Sequence, residues 1–394
     1  MKQGRSASYG VNARRVGDSL ARMPTLSDLV DLLHGWYPPA TADGWDAVGL
    51  VYGDPAAEIG KVMFAVDPTL EVAREAEAWG ADLLVVHHPL FLKAVHGFAA
   101  TTPKGRTLAT LSGAGCALLT SHTNADRAVG GVSEALATAV GLTDLAPVSA
   151  SWDGPLDKVT VYVPVADAER VRRALADAGA GRIGDYDQAS FSTQGEGRFR
   201  PLDGASPTVG SVGTAEVVEE ERVEVVLPRG RRTAVLATML AAHPYEEPAY
   251  DVVELADPGT AATGAGRIGS IAETTLRGFA EGVAAALPAT SHGVRVAGDL
   301  DRVVRRVAVC GGAGDFLLDA VLRTDADVYL TSDLRHHPAA EFLEKDGPAL
   351  VDVAHWAAEW TWLPQVRARV AQALGDTVET RVSTQCTDPW TFRI

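Results

Sequence analysis

The chain has 394 residues, a formal net charge of −16, 46% hydrophobic residues and 22% charged ones. That length accommodates two or three domains with a sizeable core, no apolar run reaches a membrane span, and no signal-peptide pattern opens the chain. The acidic balance excludes a general nucleic-acid binder, because phosphate contacts need clustered Lys and Arg. A small anionic or nucleotide-like substrate stays open, because a metal ion can supply positive charge locally.

Residues 1–22 carry Lys2, Arg5, Arg14, Arg15 and Arg22 with little apolar periodicity and read as a flexible basic extension. Leu26 to Leu33 is an amphipathic helix, and Trp45 to Leu50 leads into a sheet. Lys61 to Asp67 is a strand, Thr69 to Trp79 a helix, and Leu83–Val86 a buried strand that Pro89 stops. A helix near Thr107 to Gly113, a strand after Cys116 and a helix over Ser133 to Val140 complete a β-α-β-α-β-α order, which predicts a mainly parallel sheet. The character changes near Asp157. Strand, helix, two strands, helix and strand through Leu255 approach a β-α-β-β-α-β, ferredoxin-like unit, inserted over 156–258. From Gly264 the α/β pattern resumes, so residues 23–155 and 259–394 form a discontinuous outer domain. Gly179–Gly184 recurs as Gly264–Gly269, and neither copy sits between a strand and a helix as a dinucleotide fingerprint requires; paired loops are expected instead. Cys116, Cys310 and Cys386 lack metal spacing; Cys116 and Cys310, beside apolar strand residues, are expected to be buried free thiols, which fits a reducing cytoplasm.

Three strand ends carry chemistry. His87 and His88 follow Leu83–Val86 where an open α/β sheet gathers its ligands, and they serve one site if the chain turns at Pro89. Satisfied strand-end histidines would look the same in isolation. The Cys116 strand repeats the design and ends in His122-Thr123-Asn124-Ala125-Asp126. The Leu350–Val353 strand leads to His355 and Glu359, whose spacing puts imidazole and carboxylate on one face of a helical turn.

With Trp45-Asp46-x-Val48-Gly49-Leu50, Gly130-Gly131-Val132 and Thr331-x-Asp333, this ordered series resembles the Nif-three-like (Ngg-interacting-factor-like) dinuclear metal-centre family. Its members are often called type 2 GTP cyclohydrolase I homologues. The resemblance implies five metal ligands, His87, His88, Asp126, His355 and Glu359, with Glu359 bridging two divalent ions. It also implies a homohexameric ring and a PII-like or CutA-like insertion containing His243-Pro244-Tyr245-Glu246-Glu247-Pro248. Ala47, Ala125 and Ser332 depart from the usual pattern without removing a ligand. Imidazole and carboxylate ligation without Cys suits Zn, Mn, Fe, Co or Ni and does not choose among them. Five protein ligands for two ions leave open positions, and water there is acidified towards neutral pH.

The expected activity is metal-dependent hydrolysis of a nucleotide or phosphorylated small molecule; a non-catalytic ring that binds a partner or senses a metabolite is the alternative. Glu359 and His337 are the catalytic candidates, His337 as proton donor or phosphate contact, against a helix-entry role for His336 and His337 before Pro338. Asp333 either orients a ligand histidine or caps a helix. Thr123 and Asn124 either hold Asp126 or make the turn, and Lys93 either meets an anion or is solvated. Trp356, Trp360 and Trp362 either stack a nucleobase or, the preferred reading, pack in the core or at an interface.

Overall fold

The computed structural model describes residues 23–150, 156–183, 186–256 and 262–394. The basic extension, and the stretch at which the insertion would end, lie outside the described residues. No helix among the described residues is long and apolar enough to cross a membrane.

Two sheets stack around a shared layer of helices. The first has five strands, ordered Gly49–Tyr52, Ala117–Thr120, Leu83–Val86, Lys61–Ala65 and Glu379–Val382. All neighbours are parallel except the Gly49–Tyr52 edge. Leu83 and Val85 face the shared core, while Leu84 and Val86 face the outer helices Leu70–Trp79 and Pro103–Gly113. Burial on both faces explains the unbroken apolar run. Each such side chain contributes about 1.5–3 kcal/mol of hydrophobic stabilisation.

The second sheet has six strands, ordered Val294–Ala297, Ala349–Val353, Val328–Ser332, Val303–Ala313, Arg267–Thr275 and Thr143–Ala146. Its three central strands are parallel, and the remaining pairings are antiparallel. The mainly parallel expectation therefore describes the first sheet, and the architecture as a whole is mixed α/β. Helices Val132–Ala139, His355–Trp360 and Trp362–Leu374 fill the space between the sheets, with Trp362 fully buried. The tryptophans accordingly pack rather than present a stacking face: Trp362 Nε1 donates to Tyr37 Oη at 3.1 Å.

Residues 156–254 build a separate four-stranded antiparallel sheet, ordered Tyr250–Glu254, Leu156–Pro164, Glu216–Pro228 and Phe191–Phe199. Helices Ala168–Asp177 and Arg232–Ala242 cover one face around Val161, Val171, Val223 and Val235. The acidic residues before Val223 belong to the same thirteen-residue strand, Glu216–Pro228. The two glycine-rich copies also diverge. Gly264 and Ala265 pair with Ser149 and Ala150, and Arg267 begins a strand with its guanidinium buried, donating to the carbonyls of Gly264, Gly266, Arg127 and Ala128. Arg182, its counterpart in the first copy, is exposed.

Candidate metal centre

The carboxyl ends of the parallel strands of both sheets converge on one place. Asp67 follows the Lys61–Ala65 strand, His87 and His88 follow Leu83–Val86, and His122 follows Ala117–Thr120. From the second sheet come Gly312, Asp333 and His355. The turn expected at His87-His88 exists: both amides donate to Val66 O, and the two rings lie 5.1 Å apart.

Each of the four imidazoles has its Nδ1 committed. His87 Nδ1 donates to Ser121 O at 2.9 Å, and His88 Nδ1 to Asp67 Oδ1 at 2.7 Å. His122 Nδ1 donates to Asp46 Oδ1 at 2.8 Å, and His355 Nδ1 to Asp333 Oδ2 at 2.7 Å. Such acceptors fix the tautomer and leave Nε2 with a lone pair for a cation. Asp333 thus orients His355, and its left-handed φ of 58° marks a backbone shaped for that task.

The freed nitrogens meet around Glu359, which is 2% exposed. Its Oε1 lies 2.7 Å from His355 Nε2 and 3.3 Å from His87 Nε2, and its Oε2 lies 3.1 Å from His88 Nε2. Asp126 Oδ1 is 3.5 Å from His87 Nε2, and the Nε2 atoms of His88 and His355 face each other at 3.3 Å. All five residues expected as ligands are therefore brought together. His122 joins them, since His87, His88 and His122 can present ligand atoms within 4.8 Å of one another, as can His88, His355 and Glu359.

Burial lowers the affinity of these imidazoles for protons, yet the neighbouring carboxylates outweigh it. His87 and His88 are raised by Glu359, and His355 reaches about 10 through Glu359 and Asp333. Burial raises Glu359, but the three histidines hold it well below the usual carboxylate range. Asp126 is raised, chiefly by burial and further by Glu359. The cluster is a concentration of donors in need of positive charge.

The donor set fits divalent cations. His87 Nε2, Asp126 Oδ1 and Glu359 Oε2 are buried without a well-aligned hydrogen bond, a costly condition that a cation relieves. Space is kept by Gly312 at φ +71°, where an added Cβ would stand 2.5 Å from Glu359 Oε1 and 3.2 Å from His355 Nε2.

The other candidates are not among these donors. His336 and His337 are exposed on the first turn of helix His336–Leu343, ring against ring at 5.1 Å, and join neither donor group. Lys93 is exposed. Thr123 and Asn124 serve the turn rather than Asp126: Thr123 donates to Asp46, and Asn124 bridges the His122 amide and Tyr37 O. His243 is tied in its loop to Tyr162 O and the Tyr245 amide, and His292 binds Asp352 Oδ2 at 2.8 Å. Sequence reasoning missed His122, Asp46 and Asp67 as parts of the site. Their position just past sheet strands, or opposite one, was the available signal.

A profile of the Duf34/NIF3 (NGG1p interacting factor 3) family matches residues 24–389. A Mycobacterium tuberculosis protein named GTP cyclohydrolase 1 type 2 homolog is 51% identical over 369 residues, 93% of this chain and 96% of its own. The crystal structure of a Bacillus cereus protein related to NIF3 is 36% identical, with a TM-score of 0.64, over 95% of this chain and 100% of the other. Staphylococcus aureus protein SA1388 is 26% identical with a TM-score of 0.66, over 94% and 99% of the two chains. Profile, identity and coverage together place this chain in the DUF34/NIF3 family.

Proposed function

We propose that this chain binds two divalent metal ions and uses them to hydrolyse a nucleotide or another phosphorylated small molecule. The observation that carries the reading is the set of four imidazoles, each pinned through Nδ1, whose Nε2 atoms converge with two carboxylates. His87, His88, His122, Asp126, His355 and Glu359 would hold the ions, with Glu359 shared between them. Divalent ions bound there would supply Lewis acidity and positive charge. The protein's own part is positional. Asp46, Asp67, Asp333 and Ser121 O hold the rings, and Gly312 leaves the Glu359 carboxylate its place. His337, exposed on the first turn of its helix, is kept as the candidate proton donor or phosphate contact. Guanine recognition rests on the names of relatives alone.

We read the working form as a homohexameric ring, with 156–258 as a PII-like or CutA-like insertion. Protein purified without chelator should carry two ions per chain and turn over GTP or a phosphoester. Glu359→Gln should lose both properties while keeping the fold by circular dichroism. Full metal loading with no turnover on any substrate would favour the non-catalytic ring. A metal-free protein that resists loading would overturn the proposal.

A further inference from the structure

A second site stands in the four-stranded sheet, on the face that the two helices leave uncovered. A cavity of about 540 Å³ opens there, a volume suited to a small organic molecule. Its floor is bare by sequence: Gly195 lies opposite Glu220 in the strand register, and Gly197 opposite Val218. The Glu220 carboxylate occupies the place a Cβ on Gly197 would take, 2.2–2.7 Å from that position. Glu220 is 8% exposed. One of its oxygens accepts from Tyr245 Oη at 3.0 Å, and the other accepts no hydrogen bond among the described residues. Burial and Glu220 raise the Tyr245 phenol, so it remains a donor. Phe199 meets Tyr245 edge to face at 5.8 Å and continues the wall.

The charges around this cavity favour one sign. Arg198 is paired with Glu196 at 2.7 Å, and Arg222 with Glu224. Arg200 lies exposed in solvent, while Glu220 is buried with an open oxygen. A buried carboxylate beside aromatic rings recognises an organic cation, by a charge-assisted hydrogen bond and by the ring faces. We infer that this cavity binds a small organic cation, an amine or guanidinium on an apolar body, with Glu220 as its anchor.

Calorimetric titration of the full chain with tryptamine and with agmatine tests this, with phenylacetate as the anionic control. At least one of the two cations should bind, and phenylacetate should not. Glu220→Gln should weaken binding by about tenfold or more, equivalent to about 1.4 kcal/mol. Because that change also alters the Tyr245 hydrogen bond, Gly195→Leu provides an independent arm. A Cβ on Gly195 meets no atom within 4 Å, so this variant fills the floor and leaves Glu220 in place. It should abolish binding with the unfolding midpoint and metal content unchanged. Failure of both cations at millimolar concentration, equal binding of phenylacetate, or undiminished binding by Gly195→Leu would each overturn the inference. None of these outcomes depends on activity at the metal centre.

Discussion

Gly312→Ala tests the metal centre without touching a ligand. The substitution has two separable effects. A left-handed backbone costs a residue with a Cβ about 1–2 kcal/mol. The new methyl also stands 2.5 Å from Glu359 Oε1, so the carboxylate must move by several tenths of an ångström. Disturbing groups that orient a metal ligand typically lowers metal affinity about 10–100-fold, or about 1.4–2.8 kcal/mol. Gly80→Ala is the control: its φ of +73° is close to the +71° of Gly312, and no atom lies within 4 Å of its added Cβ. Both variants should lose similar stability in urea unfolding of the metal-free protein. Only Gly312→Ala should lose affinity when zinc or manganese is titrated against a competing chromogenic chelator. Wild-type affinity in Gly312→Ala, or an equal loss in Gly80→Ala, would refute the reasoning.

Asp67→Asn should weaken metal binding about 10–100-fold by the same competition assay, because His88 loses its charged acceptor. Because His355 is raised to about 10, protons compete with metal at neutral pH, and apparent affinity should climb as pH rises towards that value. In the metal-free protein, the stability His355 contributes through its raised value is fully present below the unfolded value of about 6.5 and is lost as pH rises through about 10. Loss of affinity on raising the pH from 6 to 8 would contradict this. Asp157 is pushed up by burial, but Arg232 and Arg229 outweigh that and hold it low. Its contribution should therefore persist above the unfolded carboxylate range and fall away as pH drops through its lowered folded value. Asp157→Asn should cost about 2–3 kcal/mol near neutral pH and proportionately less in strong acid, as read by urea unfolding. Arg267→Met should destabilise by about 3–5 kcal/mol, because four carbonyls and Glu134 lose a buried cation, while exposed Arg182→Met should stay within about 0.5 kcal/mol.

The parts of this molecule legible in sequence are those with both faces buried or with unusual neighbours. Leu83–Val86 reads as a strand because each residue packs on one side of the sheet or the other, and two histidines in a row at its end stand out. His355 and Glu359 are readable because helical spacing ties them together. The strand Phe191–Phe199 hides in a polar, glycine-containing stretch because one side of its sheet faces water and a cavity. The antiparallel edges of the second sheet are obscure for a related reason. Arg267–Thr275 ends in exposed polar residues, and its neighbour Thr143–Ala146 is short and largely exposed. Asp46 and Asp67 escaped because an aspartate in a loop is commonplace until the histidine it faces is known. Only folding supplies that partner, across 76 and 21 residues respectively.

The two sheets trade edge strands. Thr143–Ala146, from the early half of the chain, completes the later sheet, and Glu379–Val382, from its late half, completes the first. During synthesis the Lys61–Ala65 strand therefore waits with one side unpaired until Glu379–Val382 has left the ribosome. An unpaired edge of this kind is a template for foreign strands. Closure over so long a span also makes folding slow, so a nascent chain cut short before Glu379 would expose the very sheet that carries His87 and His88.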